Sequence, residues 1–457
     1  MKRILRKLNN SKNDSFIKNI LSLLTGTTIA QLLPLLITPI LTRIYTPEEF
    51  GLLGLYLSCV SVLSVIITGR YDKAIVLPKE KEDAIDLLKL SFYLALLISC
   101  ISVLILIIFK NNFSILLNKK EFISYLILIP FSAYIIGITN IFTQWNSRQK
   151  NFNLIAVNRV AQSANLSGAQ LILGFTKINI NGLIIGQIFG QMISGIRIAF
   201  LSIRKDKINL LNINIKNSLR LAKVYKDFPL YSTLSSFLNT LSLQLPILLM
   251  SGYFTAGAIG YYVLANRFVS MPMNMLGASV SQVYFQEAAR LYENDQEKLK
   301  ALTFKTFKNL SYIGTIPMLI VLGFGDIIFS VFFGSEWSEA GQYARMLSPW
   351  ILFVFISSPL TSLFYIFKKQ KLFLMIDLSV FVIRLIAFLI GAHYFKSELI
   401  SVFLFAISGF VSWFLITIYT LKLVNVSIKN TIIHSIIFIL IPFILILLIR
   451  YYLLGSF

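Results

Sequence analysis

The sequence predicts an all-α polytopic membrane protein, and three observations lead there. Hydrophobic residues fill 56% of the 457 positions and charged residues only 14%, too apolar a balance for soluble domains of this length. The charges cluster between runs of Ile, Leu, Phe and Val. Those runs approach the roughly 20 residues that cross a hydrocarbon core of about 30 Å. Strand-type alternation is absent, which excludes an outer-membrane barrel.

Thirteen spans follow in order, near 17–42, 49–69, 85–109, 122–143, 154–175, 178–202, 228–251, 256–284, 305–333, 342–367, 371–395, 398–421 and 432–454. The opening MKRILRKLNNSKND reads as a basic cytoplasmic arm. No small-residue cleavage site follows it, so the first run is a true span. Of the 42 Lys and Arg, thirty fall in this arm or in the loops after even-numbered spans. The opposite loops hold Arg43, Lys110, Lys119, Lys120, Lys177, Arg345, Lys396 and Arg450. By the positive-inside rule the N-terminus is cytoplasmic and a thirteenth span leaves the C-terminus outside. The same placement accounts for the net charge of +22 without a nucleic-acid partner. Cys59 and Cys100 fall inside spans and read as small core residues, not as a disulfide pair.

An internal repeat divides the chain. Tyr45-Thr46-Pro-Glu-Glu-Phe50-Gly51 after span 1 matches Phe254-Thr255-Ala-Gly-Ala-Ile259-Gly260 after span 7. Gln149-Lys150-Asn-Phe152 after span 4 matches Gln370-Lys371-Leu-Phe373 after span 10. Repeats six spans apart enter the membrane from the same side. They predict two parallel six-helix bundles related by a pseudo-two-fold along the membrane normal, with a substrate site at their seam. The expected domains are 1–203, a basic cytoplasmic connector at 204–227, a second bundle at 228–421 and an extra C-terminal helix with its tail at 422–457. The connector's lysines and arginines fit an amphipathic tether and equally a solvated loop near anionic headgroups.

Polar residues at helical spacing mark the candidate site. Span 7 carries Ser232, Ser235, Asn239, Ser242 and Pro246; span 8 carries Arg267, Ser270, Asn274 and Ser281. A 3.6-residue period puts each set on one helix face. Span 1 carries Thr27, Gln31, Pro34, Thr38 and Thr42, span 5 carries Arg159, Ser163, Ser167 and Gln170, and span 6 carries Gln187, Gln191, Ser194 and Arg197. Such side chains either wall a wet cavity or glue helices together. Prolines 34, 39 and 246 allow bending or make ordinary kinks. Arg159, Arg267 and Arg384 facing lipid would together cost about 8–10 kcal/mol, which a hydrated interior avoids. Arg159 and Arg197 near helix ends have the alternative of snorkelling. Arg384 has the alternative of pairing with Asp377 one face along, and Arg70 of pairing with Asp72. Arg267 has no acidic neighbour within ten residues, which makes it the foremost ligand candidate. Embedded cations outnumber Asp377, the one clear acid at depth, and guanidinium suits phosphate oxygens.

The histidines, His393 and His434, lie far apart near span ends, where packing is the plainer role. No Walker lysine loop, paired-cysteine motif or metal-type histidine spacing occurs. The sequence therefore predicts no enzyme, no cofactor and no metal site. A membrane glycan polymerase would need a long outer loop, and the longest here is about 12 residues at 110–121.

Four segments carry a family resemblance: LTRIYTPEEFGLLGLY (41–56), GRYDKAIVLP (69–78), DFPLYSTLSSFLNTLSLQLPILL (227–249) and GAIGYYVLANRFVSMPMNMLGASVSQVYFQEAAR (257–290). Over about residues 15–420 the chain resembles the bacterial polysaccharide transporter family. These are the Wzx-type O-antigen and capsule repeat-unit flippases of the multidrug/oligosaccharidyl-lipid/polysaccharide exporter superfamily. The resemblance implies a two-bundle flippase of the inner membrane with a V-shaped, cationic central cavity. It would move undecaprenyl-diphosphate-linked oligosaccharide to the periplasmic leaflet by alternating access. Implied partners are that substrate, membrane lipids, a coupling proton or sodium ion, and a polysaccharide polymerase. Arg43, Arg70 and Arg267 are the motif arginines expected at the diphosphate. Arg159, Arg384, Gln31, Asn239 and Asn274 complete the expected substrate contacts, with Asp377 for ion coupling. Family members usually have twelve spans, so the thirteenth is a departure. The competing expectation is a cation-coupled multidrug exporter on the same scaffold, against which the scarcity of buried carboxylates speaks.

Overall fold

The computed structural model describes residues 14–109, 112, 122–176, 181–212 and 214–455. The N-terminal arm up to residue 13, and Lys110, Lys119, Lys120 and Lys177, lie outside them. Among the described residues the regular elements are all helices. The long ones are α1 (Asp14–Leu41), α2 (Pro47–Ile66), α3 (Lys81–Ile108), α4 (Leu128–Arg148), α5 (Phe152–Phe175) and α6 (Gly182–Asp206). A short α7 (Ile215–Val224) precedes α8 (Thr233–Tyr253), α9 (Ala256–Asn294), α10 (Gln296–Phe333) and α11 (Ser338–Ser357). The last are α12 (Gln370–His393), α13 (Glu398–Leu423), α14 (Ile428–Ser435) and α15 (Ile441–Leu454). Each expected span thus has a helical counterpart.

Nine helices among the described residues are long and apolar enough to cross a membrane, or ten if the bent pair Ser335–Ser357 and Leu360–Ile366 is one span. The C-terminal stretch Ile428–Leu453 is one of the nine. Phe152–Phe175 and Ala256–Asn294 are not among them, because polar side chains dilute both. α9 and α10 also overrun the expected spans. At 39 and 38 residues they reach nearly 60 Å at 1.5 Å per residue, so the expected loop between them is instead a helical hairpin. Asp295 makes its turn, accepting from the Lys298 backbone N–H at 3.0 Å. The Lys298 ammonium at 2.9 Å holds this carboxyl below the usual carboxylate range.

The chain forms two compact units, Met1–Gly252 and Tyr253–Phe457. In the first, α5 packs on α6 through Gly182, Gly186 and Gly190, a small residue every fourth position. A Cβ on Gly186 would sit 2.8 Å from the Gln170 backbone nitrogen, and one on Gly190 2.7 Å from the Leu166 Cα. Tyr45, in the turn after α1, donates to the Gln170 carbonyl at 2.7 Å, and burial pushes its phenol up to about 12. The connector helix α7 is docked on the end of α3. Asn217 donates to Asp86 at 2.6 Å, Arg220 to Asp83 at 2.7 Å, and Leu221 is buried among Leu87, Leu88 and Trp145. In the second unit α11 is the central helix, with Tyr343, Leu347, Leu352 and Phe353 fully buried.

Local structure bears on the repeat. Thr46 caps α2 in a capping box with Glu49, and Thr255 caps α9 by accepting from Ala258 N at 3.2 Å. The first sequence match therefore has one structural role in both places. The second does not: Gln149 and Lys150 precede α5, whereas Gln370 and Lys371 already lie in the first turn of α12. Left-handed backbone recurs instead at Lys150 and Lys368, and likewise at Lys207 and Asn425. Both pairs are 218 residues apart (150 to 368, 207 to 425).

Candidate substrate site

The polar faces of α8 and α9 stay uncovered over most of their length. Ser232, in the turn that leads into α8, and Ser235 and Asn239 on α8 are exposed, and Pro246 is buried. On α9, Asn274 is exposed and Arg267, Ser270 and Ser281 are partly so. The α9 serines bond only to their own helix: Ser270 to the Asn266 carbonyl, Ser281 to that of Gly277 at 2.8 Å. Arg267 has no hydrogen-bond or ion-pair partner among the described residues. A partly exposed guanidinium with its donors open leaves its N–H groups available to an acceptor.

The other expected contacts divide into open and committed. Gln31, Arg43, Asn239 and Asn274 are exposed, and their side chains have no protein partner among the described residues. Arg43 stands in the turn after α1. Arg159 is exposed but donates to Thr27 Oγ1 at 2.6 Å. Arg70 has left-handed backbone (φ 59°) and donates to Ser236 Oγ. The Arg70–Asp72 pair does not form: Asp72 is buried and accepts from Thr68 Oγ1 at 2.6 Å.

Nor does Arg384 pair with Asp377. It is 5% exposed, its guanidinium carbon 4.2 Å from the Trp350 ring centroid and 3.9 Å from that of Phe405. Two cation–π contacts replace the carboxylate, and Asp377 points out of α12, exposed. The polar residues of α5 and α6 are also largely enclosed, where an open cavity wall was one expectation. Gln170 donates to the Leu183 carbonyl at 3.0 Å, Asn158 to Ser194 Oγ at 2.7 Å, and Gln191 is buried. Cys100 is exposed rather than a core residue. His434 packs among Phe307, Tyr312 and Phe438.

Asp377 is not the one acid at depth, because Asp326 lies within α10. It forms a two-pronged pair with Arg450 of α15, at 2.8 and 2.6 Å. Arg450 also donates to the Gly323 carbonyl at 2.7 Å, and Arg345 Nε to that of Leu322 at 2.9 Å. These carbonyls sit where α10 breaks, at Phe324 (φ −134°, ψ 20°). A break frees backbone acceptors that lipid cannot satisfy, and the two arginines fill them. Residues 124 positions apart carry no spacing signal. Gly323 and Gly325 around Phe324 were the only hint.

Solved structures share this architecture. A lipid II flippase MurJ in an inward closed conformation superposes with TM-score 0.71 at 15% identity, covering 95% of this chain and 99% of the other. An inward-facing multidrug resistance MATE family transporter of the MOP superfamily gives 0.67 at 16%, covering 88% and 96%. A MOP superfamily transporter from Pyrococcus furiosus gives 0.59 at 14%, covering 92% and 98%. The class is thereby defined: a multi-pass helical membrane protein with the fold that these structures share. Within that class the family model described as polysaccharide biosynthesis protein matches residues 40–342, and the chain belongs to this family. It is 25% identical over 324 residues to the succinoglycan biosynthesis transport protein ExoT of Rhizobium meliloti (strain 1021), a match covering 68% of this chain and 61% of that relative's length.

Proposed function

We propose that this chain flips undecaprenyl-diphosphate-linked oligosaccharides from the cytoplasmic to the periplasmic leaflet of the bacterial inner membrane. The cargo class is the repeat unit of an O-antigen, capsule or exopolysaccharide, and the mode is alternating access. The observation that carries the reading is the partnerless Arg267 guanidinium on the open face of α9. A buried or half-buried cation without a counterion is costly; a diphosphate passing through offsets that cost and uses the fork geometry of guanidinium. Family membership, the similarity to a succinoglycan transport protein and the fold shared with a lipid II flippase support the substrate class. MOP relatives solved in inward-facing and outward-facing conformations support the mode.

Asn274, Asn239, Gln31 and Arg43 are open to contribute as they stand. Arg70 and Arg159 would first release Ser236 and Thr27, and Arg384 would first leave its aromatic rings. The second reading, export of cationic drugs, draws on the MATE likeness. Arg267 opposes it, since a cation at the site repels a cationic cargo.

The test is surface polysaccharide and drug resistance in cells whose only copy is wild type, Arg267→Ala or Arg267→Lys. Arg267→Ala should insert normally yet lower polysaccharide export about 10- to 100-fold, the loss of one or two charge-assisted bonds, and Arg267→Lys should restore part of it. Asp377→Asn in the same cells tests whether this exposed carboxylate couples a proton or sodium ion. Normal export by the alanine variant removes Arg267 from the mechanism. Broad drug resistance with unchanged glycans supports the exporter instead.

A further inference from the structure

We propose that a groove between α12 and α13 holds one acyl chain of an anionic phospholipid whose headgroup rests on Lys422 and Lys369. The groove encloses about 620 Å³ and is a feature of the second unit alone. Leu372, Ile376 and Ile383 of α12 and Leu415 and Tyr419 of α13 line it, and Lys422 is its one charged lining residue. Lys369 stands over the Tyr419 ring, 5.9 Å from its centroid, which brings a second ammonium to the same end. Lys368, Lys371 and Lys429 follow in the neighbouring turns. No Asp or Glu lines the groove, and none occurs from 399 to 457. A cationic rim above an apolar trough is complementary to an anionic amphiphile.

Depth selects among amphiphiles. From Leu372 to Ile383 the trough runs about 17 Å at 1.5 Å per residue, roughly half of a 30 Å hydrocarbon core. That is the reach of one leaflet's acyl chain, and a long polyprenyl chain would overrun it. Most of α12 outside the groove is likewise uncovered and apolar, with Leu374, Leu378, Val382 and Ile386 exposed, as a lipid-facing helix requires. Asp377 is not among the lining residues, so nothing in the trough repels a phosphate.

The test is native mass spectrometry of the purified full chain offered equal amounts of palmitoyl-oleoyl phosphatidylglycerol and phosphatidylcholine. Each lysine near an anionic headgroup favours it about fivefold. The wild type should therefore retain one phosphatidylglycerol with at least about tenfold preference. Lys369→Gln with Lys422→Gln should bring the preference to about twofold or less. Ser379→Phe, which fills the trough from its lining, should remove the retained lipid while both lysines stay. Equal retention of the two lipids by the wild type overturns the proposal. So does retention that neither variant changes, or displacement of phosphatidylglycerol by equimolar undecaprenyl phosphate.

Discussion

α5 and α9 are the two long helices too polar to pass as plain apolar spans, and they use their polar side chains in opposite ways. On α5, Arg159 and Ser163 reach α1, at Thr27 and the Ala30 carbonyl, while Asn158 and Gln170 reach α6. Every one of these groups is spent on a neighbouring helix, and glycines on α6 let the backbones approach. On α9 the serines fold back on their own turn, and the Arg267 and Asn274 side chains engage no partner among the described residues. Polarity at membrane depth is therefore not in itself a sign of a binding site. What separates glue from ligand contact is whether another helix arrives to take the hydrogen bond.

The comparison is sharpest where a charge is spent. Arg450 is the extreme case, a guanidinium with 4% of its side chain exposed, closed on Asp326 and on a broken helix. Arg450→Ala leaves Asp326 and the Gly323 carbonyl without their donor, which costs about 3–5 kcal/mol. Thermal unfolding in detergent should show a large drop for this variant. Replacing both members, Asp326→Leu with Arg450→Leu, should recover much of it, because no orphaned charge remains. A mild single variant would mean that water already satisfies the break.

Asn158 offers the neutral counterpart on α5. It is buried and bonded to Ser194, so Asn158→Ala should cost about 1–2 kcal/mol through the bond lost and the hydroxyl left behind. Pairing it with Ser194→Ala should add little, since the two share one interaction. Full additivity in that cycle would place α5 closer to α9 in behaviour than its contacts indicate.

How far the sequence reads follows the same division. The helices were legible because apolar run length is a local property, and so was the first repeat match, where a threonine cap needs only its own turn. The second match was displaced, because the shared feature is a left-handed backbone at Lys150 and Lys368, which no residue type announces when lysine occupies it. The stripes on α5, α6, α8 and α9 looked alike, since helical spacing reports a common face and not what packs against it. The Asp326–Arg450 pair and the aromatic seat of Arg384 were hidden for the same reason. The first depends on helices far apart in the chain arriving at one place, the second on the adjacent α11 and α13 both closing on α12.

Arg267 should then give the smallest stability change of all, and that smallness is informative. Its guanidinium contributes no bond to another described residue, so truncation loses only the packing of its aliphatic stem and removes an unpaired cation from a half-dehydrated helix. The two effects oppose each other, and Arg267→Ala should stay within about 0.5 kcal/mol of wild type, as surface changes do. Arg159→Ala, which gives up the bond to Thr27, should lose about 0.5–1.5 kcal/mol under the same conditions. A variant that is silent in unfolding but dead in export has had a ligand contact removed. If Arg267→Ala instead unfolds as early as Asn158→Ala, its side chain is holding the helix in place, and α9 is glue like α5.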